Sequence, residues 1–421
     1  MKQIEGLGRK DAPDPEDRAR AEDDVRQRAV GGDDHRAADR DHLRRRLSVP
    51  ADARVQGARE LTRRVVTHDQ AHVVPAVAER GRLELGVLDD SAPEGPRERD
   101  DDAHLHLERS LWFIAVKLEG VHHVTAITAD APRNVEFYAG VLGLRLVKKT
   151  VNQDDPTVYH LFYADEQGDP GSDITFFEYP GARQGRAGAG MVHTVRWRLA
   201  SEEALDFWQK RLDNHMLSRE EGSLTFTDPE GLRHELAVVE RKDEPLIAQH
   251  PEIPAELALQ GFDGVRAFSA DPGRSRAFLE ETLEFDSRDG ETWEARGERR
   301  GGFYEYDQAP ENPGIGGAGT VHHVAWASPL DEHEAWRERV AGAGAHVTPI
   351  IDRFYFKSIY FREPSGVLFE IATIGPGFAT DEPAEHLGER LSLPPDFEHL
   401  RAQVEPVLTP LPNPRETAAT R

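Results

Sequence analysis

Gly120-Val121-His122-His123-Val124-Thr125-Ala126-Ile127-Thr128 returns 200 residues later as Gly319-Thr320-Val321-His322-His323-Val324-Ala325. Both are β-branched runs bounded by turn residues, which predicts a strand in each case. A third run, Leu368-Phe369-Glu370-Ile371-Ala372, places Glu370 47 residues after His323. Two imidazoles and one carboxylate from three strands form the donor set of a facial triad, which leaves open positions on a metal such as Fe(II). Period-two alternation puts His123 on the face of Val121 and Thr125, and Glu370 on the face of Leu368 and Ala372. A carboxylate between apolar neighbours is costly unless it is paired or metal-bound. A lone strand histidine is ordinarily a satisfied core or surface residue. Two in matching positions, with that glutamate, reverse the reading.

The repeat extends well beyond the paired histidines. Strands are expected at Gly120–Thr128, Met191–Leu199, Gly261–Ala270 and Thr320–Ser328. A helix follows each, anchored by Phe137, Phe207, Phe278 and Trp336, which fall 16, 15, 16 and 15 residues after Val121, Val192, Phe262 and Val321. Three apolar stretches come next, in the first unit Leu144–Thr150, Thr157–Tyr163 and Ile174–Tyr179, in the fourth His346–Ile351, Phe356–Arg362 and Val367–Thr373. Two units close alike, with Asp228-Pro229-Glu230-Gly231 before Glu235 and Glu363-Pro364-Ser365-Gly366 before Glu370. The unit is therefore βαβββ, four times over. Each leaves one apolar sheet face uncovered, so an α+β fold is expected, with four βαβββ modules paired into two half-open barrels.

The modules are expected at residues 116–183, 190–242, 260–308 and 318–376, followed by a tail over 377–421. Facial ligands must converge, so modules one and four share the metal cup. Modules two and three then build the other, where Thr194 and Gly264 stand at the position of His123. His193 and Glu235 remain there, but only His193 neighbours a ligand position. That cup reads as structural, without metal.

Residues 1–115 do not belong with the rest. The first 110 hold no Phe, Tyr or Trp, although the chain has 32, and they carry 25 acidic and 21 basic residues, 19 of them Arg. Such a segment cannot bury enough surface to offset its ordering entropy. It reads as a disordered extension or as upstream DNA translated from a mis-called start, with short helices conceivable around Val73–Leu88. The remaining 52 acidic and 31 basic residues give net −21, within −25 for all 421 residues. That charge argues against nucleic acid or an anionic membrane as partner. No run of 18 apolar residues suggests a membrane span, and no signal peptide is read at the N-terminus. The absence of cysteine excludes thiolate ligands and fits a cytoplasmic protein. A homo-oligomer is left open.

Longer stretches carry a family likeness. They are the two His-His phrases, Phe137-Tyr138-Ala139-Gly140-Val141-Leu142-Gly143-Leu144-Arg145-Leu146-Val147-Lys148-Lys149-Thr150-Val151-Asn152, Tyr355-Phe356-Lys357-Ser358-Ile359-Tyr360-Phe361-Arg362 and Leu368-Phe369-Glu370-Ile371-Ala372-Thr373. Asp381-Glu382-Pro383 and Leu391-Ser392-Leu393-Pro394-Pro395 extend it into the tail. Over roughly residues 118–412 the chain resembles the vicinal oxygen chelate superfamily of glyoxalase I, bleomycin-resistance proteins and extradiol dioxygenases. Within it, the sequence is most similar to two-domain dioxygenases that cleave hydroquinone rings.

The resemblance implies metal ligands at His123, His323 and Glu370, and favours Fe(II), with Mn(II) as the alternative. It implies a hydroquinone- or catechol-like aromatic and O₂ as reactants. Tyr360, ten residues before Glu370 on the adjacent strand, could donate a proton at the substrate oxygen. Arg353, just before that strand, could pair with an anionic group. The resemblance also points to His122, Thr125 and His322. Alternation turns His122 and His322 away from the metal face, which ranks them below Thr125 unless a bulge intervenes. A glyoxalase-type isomerase or lyase, and a non-catalytic resistance binder, are the alternatives on the same scaffold.

Overall fold

The computed structural model describes residues 116–215, 218–240, 242–411 and 413–415. The N-terminal extension, with its conceivable helices around Val73–Leu88, lies outside them. Sixteen strands follow in chain order. Module one contributes β1 (Val121–Thr128), β2 (Arg145–Asn152), β3 (Asp155–Ala164) and β4 (Asp173–Glu178). Module two contributes β5 (Met191–Leu199), β6 (Ser218–Glu220), β7 (Ser223–Thr227) and β8 (Arg233–Val238). Module three contributes β9 (Phe262–Ser269), β10 (Asp286–Ser287), β11 (Thr292–Arg296) and β12 (Gly301–Gln308). Module four contributes β13 (Val321–Ser328), β14 (Ile351–Asp352), β15 (Lys357–Arg362) and β16 (Leu368–Thr373).

These strands make two eight-stranded sheets, ordered β14-β15-β16-β13-β1-β4-β3-β2 and β10-β11-β12-β9-β5-β8-β7-β6. The first joins the outer modules and the second the inner pair, so one half-barrel is nested within the sequence of the other. In each module the opening strand runs parallel to the closing strand, while opening strands of partner modules meet antiparallel.

The helices form for local reasons. Asp130 accepts the amide of Arg133 and caps α1 (Ala131–Val135), whose first turn tolerates Pro132. The chain continues through a wider turn over Glu136–Val141, which buries Phe137 and Tyr138. Ser201 caps α2 (Glu202–Arg211) through the amide of Ala204. There the deep anchor is Trp208 and not Phe207, which is only partly buried. The difference is one position of helical phase, since Ala204, Leu205 and Trp208 share the buried face. In module three the helical segment is reduced to Pro272–Arg274 and Phe278–Thr282, yet Phe278 is still buried. α3 (His333–Gly342) seats Trp336.

One expected strand is nearly absent. His346–Ile351 pairs only at Ile351–Asp352, because Pro349 has no amide to give to a ladder. Thr348 instead brackets Tyr360, donating its amide to the Tyr360 carbonyl and accepting the Tyr360 amide on its hydroxyl.

The shared closing phrases lock modules to each other. Asp228 accepts the amides of Glu230 and Leu232 and the hydroxyl of Tyr138, tying the helix of module one to the sheet of module two. Glu363 accepts the amides of Ser365 and Val367 and the hydroxyl of Tyr306, tying module four to module three. Trp197, Trp208, Trp293, Trp326 and Trp336 are among the largest fully buried side chains. No helix of the described residues is long and apolar enough to cross a membrane.

Candidate metal centre and its cavity

The centre forms along the seam between the outer modules, where β1 and β13 lie antiparallel. Val121 pairs with Trp326 and His123 with Ala325, so His122 is the extra residue of a β-bulge. Thr125 pairs with His323 and Ala126 with Val321, so His322 is extra in the same way. β16 flanks β13 with Glu370 opposite Ala325. His123, His323 and Glu370 are thereby brought to one point, each buried, with ligand atoms all within 4.8 Å of one another.

The polar atoms at that point are mutually uncomfortable without a cation. His123 Nε2 and His323 Nε2 are 3.2 Å apart, and Glu370 Oε2 lies 3.2 Å and 2.9 Å from them. Neither oxygen of Glu370 accepts a hydrogen bond, although both are buried. Burial opposes ionisation of Glu370, but the imidazoles against it hold the carboxyl well below the usual carboxylate range. The remaining ring nitrogens show which side faces the ion. His123 Nδ1 meets His122 Nδ1 at 3.0 Å, and His323 Nδ1 meets His322 Nδ1 at 2.8 Å. His122 Nε2 reaches the carbonyl of Thr373 at 3.2 Å. A network with His122 protonated on Nε2 lets His123 Nδ1–H donate to it, which frees His123 Nε2 as a ligand atom. Burial lowers both His122 and His322 to about 3, so both stay neutral. Two imidazole nitrogens and a carboxylate, all convergent and undonated, fit a divalent metal.

A cavity of about 450 Å³, its mouth included, opens over this point. Phe162, Phe177, Tyr355 and Phe356 give it aromatic walls, with His160, Arg353 and Tyr360 as its polar lining.

Comparison with known proteins agrees with this architecture. The profile described as "Glyoxalase/Bleomycin resistance protein/Dioxygenase superfamily" matches residues 120–236 and 261–371, together more than half of the chain. The chain belongs to that superfamily. It is 42% identical over 309 residues to the "Putative ring-cleaving dioxygenase MhqO" of Bacillus subtilis (strain 168), covering 70% of this chain and 98% of the relative. It is 32% identical over 319 residues to the "Chlorohydroquinone/hydroquinone 1,2-dioxygenase" of Sphingobium indicum, covering 68% of this chain and 95% of the relative. A crystal structure of a "putative dioxygenase" from Bacillus subtilis superposes with a TM-score of 0.65 at 40% identity, covering 70% of this chain and 98% of that one.

Within this superfamily scaffold, the residues singled out from sequence separate into two groups. Tyr360 stands opposite Glu370 on β15, its ring centroid 5.7 Å from that of His323. The guanidinium of Arg353 lies 5.6 Å from the Tyr360 ring centroid and pairs with Asp154 at 3.2 Å. Both line the cavity. His122 and His322 are not turned away, as strict alternation requires, because each occupies a bulge and touches its ligand neighbour. Thr125 does not line the cavity; its hydroxyl bonds to Thr175 at 2.8 Å.

Asp154 and His160 were not foreseen. The sequence signal for His160 is an imidazole between Val158 and Phe162 on one strand face, with no matching histidine in another module. Module four carries Ser358 at the equivalent ladder position, opposite Ala372, where His160 lies opposite Phe177.

The inner half-barrel has Thr194 and Gly264 in place of the two convergent histidines. Glu235 and Glu305 occupy ladder positions equivalent to Glu370, opposite Arg196 and Arg266. Arg196 pairs with Glu235 at 3.3 Å, and Arg266 pairs with Glu305 at 3.2 Å and Asp307 at 2.6 Å. His193, the bulge residue of β5, is occupied by Asp307 at 2.9 Å. Guanidinium groups therefore supply the positive charge in this cup. His193→Ala and Glu235→Ala are expected to leave the metal-to-protein ratio unchanged by elemental analysis; loss of an equivalent would reveal a second centre.

Proposed function

We propose that the chain is an Fe(II)-dependent, extradiol-type dioxygenase that cleaves a hydroquinone- or catechol-like ring and places both atoms of O₂ in the product. The observation that carries this reading is the convergence of His123, His323 and Glu370, with both histidines in the lining of an aromatic-walled cavity. The named activities of the relatives support it. An N₂O donor set without thiolate suits Fe(II), and Mn(II) shares the preference.

A bound Fe(II) would supply the one-electron chemistry that spin-paired aromatics and O₂ lack together. The protein's part is orientation and proton management. Phe162, Phe177 and Phe356 in the cavity lining would flank a planar ring. Burial, and then the charge of Glu370, raise the Tyr360 phenol above its ordinary range, so it is protonated at neutral pH and can donate at a substrate oxygen. Arg353 lies over that phenol and is already balanced by Asp154. It steers hydroxyl or phenolate oxygens without demanding a carboxylate on the ring.

The test is an oxygen-electrode trace with protein loaded anaerobically with Fe(II). Equimolar loss of O₂ and hydroquinone or catechol is expected, with a ring-opened product. An absence of oxygen uptake, accompanied by isomerisation of a glutathione adduct, would replace this reading by the glyoxalase-type one.

A further inference from the structure

His160 has a place in the cavity that the metal ligands and Tyr360 do not account for. It sits on β3 with its ring between those of Phe162 and Phe177, at centroid distances of 3.9 Å and 4.4 Å. Its Nε2 lies 2.9 Å from the hydroxyl of Thr175, and Thr175 is hydrogen-bonded in turn to Thr125 at 2.8 Å. The other ring nitrogen has no partner among the described residues, and the ring lines the cavity. This is an imidazole fixed from behind and offered to whatever fills the space in front.

The surroundings settle its charge. Burial lowers His160 well below its ordinary value, and His123, His323 and Arg353 act in the same direction against Glu370. A neutral ring with Nε2–H donated to Thr175 leaves Nδ1 as an acceptor. Either threonine hydroxyl can donate, so the chain holds the ring in position in both tautomers, and the one with Nε2–H toward Thr175 is the one that presents an acceptor. The two phenylalanine rings flank its plane. The ladder gives the geometry a second support. Phe162 stands opposite Thr175 in module one as Tyr360 stands opposite Glu370 in module four. His160 lies two residues from Phe162 on the same face of β3, on the wall across the seam from Tyr360.

We infer that His160 accepts a hydrogen bond from the second hydroxyl of the substrate, the one that does not reach the metal, and so selects para-dihydroxylated, uncharged aromatics. Thr175 and Thr125 are positioning residues that act through it, which explains a Thr125 that never reaches the cavity. This assignment rests on the aromatic reading of the site and sharpens it. A ring held by one oxygen at the centre and by the other at His160 needs no carboxylate, consistent with an Arg353 already paired to Asp154.

The experiment measures anaerobic binding to Fe(II)-loaded protein by calorimetry, with hydroquinone and 4-methylphenol as probes. The two differ in the distal hydroxyl alone. Wild-type protein is expected to prefer hydroquinone by about tenfold, the worth of one hydrogen bond made in a buried site. His160→Phe should abolish that preference with 4-methylphenol affinity changed less than about twofold and metal content intact. His160→Gln, which restores an acceptor, should recover part of it, and Thr175→Val should weaken it. A His160→Phe protein that keeps the preference overturns the inference, as does one that loses both phenols equally, because His160 would then be packing only. Oxygen uptake by the wild-type protein judges the ring-cleavage reading separately. Its absence, with the hydroxyl preference still lost in His160→Phe, would sink that reading and leave His160 as the recognising group.

Discussion

Replacing His123, His323 or Glu370 by alanine is expected to strip the protein of tightly bound iron, each change alone being enough. Two remaining donors hold a divalent ion poorly, and the loss should exceed the roughly 10–100-fold that removal of an outer hydrogen-bond partner costs. His122→Phe and His322→Phe set that lower scale, because each keeps a ring in place and removes the ring nitrogen that contacts a neighbouring Nδ1. Elemental analysis after gel filtration reads both series. The fold should survive, since in the metal-free alanine variants a cluster of convergent acceptors is relieved and no packed apolar volume is lost. A Glu370→Ala protein that still retained stoichiometric iron would mean that the ion sits elsewhere.

Tyr360→Phe separates chemistry from packing. The ring keeps its contacts with His323 and Arg353, and the backbone stays bracketed by Thr348. Only the hydroxyl is removed, so folding, iron content and anaerobic substrate affinity should change little. Turnover should fall by roughly 10²–10⁴-fold if that hydroxyl supplies a proton. Near-wild-type oxygen uptake in this variant would remove Tyr360 from the mechanism and hand the proton to another group.

Much of the scaffold was legible because the chain says it four times. The His-His phrases, the helix anchors and the Gly-x-x-x-Glu closings recur at matched spacing, so module order and strand type follow from repetition alone. The pairing of outer with outer followed from the need for three ligands to converge. What escaped the reading was whatever breaks periodicity. The bulges that carry His122 and His322 cost one unpaired residue each and leave no mark in a hydrophobic pattern. Trp208 displaced Phe207 as the buried anchor because two adjacent aromatics differ only in helical phase. His346–Ile351 read as a strand because Val347, Thr348 and Ile350 outweighed Pro349 in the count. His160 and Asp154 were invisible because their roles come from neighbours distant in sequence, Thr175 and Arg353.

The nesting of one half-barrel inside the other also sets the order in which the protein can become itself. Modules two and three are neighbours in the chain, and their sheet closes with connections of modest length. The outer sheet must wait, because His123 meets a partner 200 residues further on and Glu370 lies further still. During synthesis the inner half-barrel is complete before the last module has left the ribosome, while β1 keeps an edge without its mate. Long-range closure of that kind is slow and exposes strand edges. A metal held by His123, His323 and Glu370 would therefore be captured at the end of folding, and a chain cut between β12 and β16 would keep every strand of the inner sheet and lack Glu370.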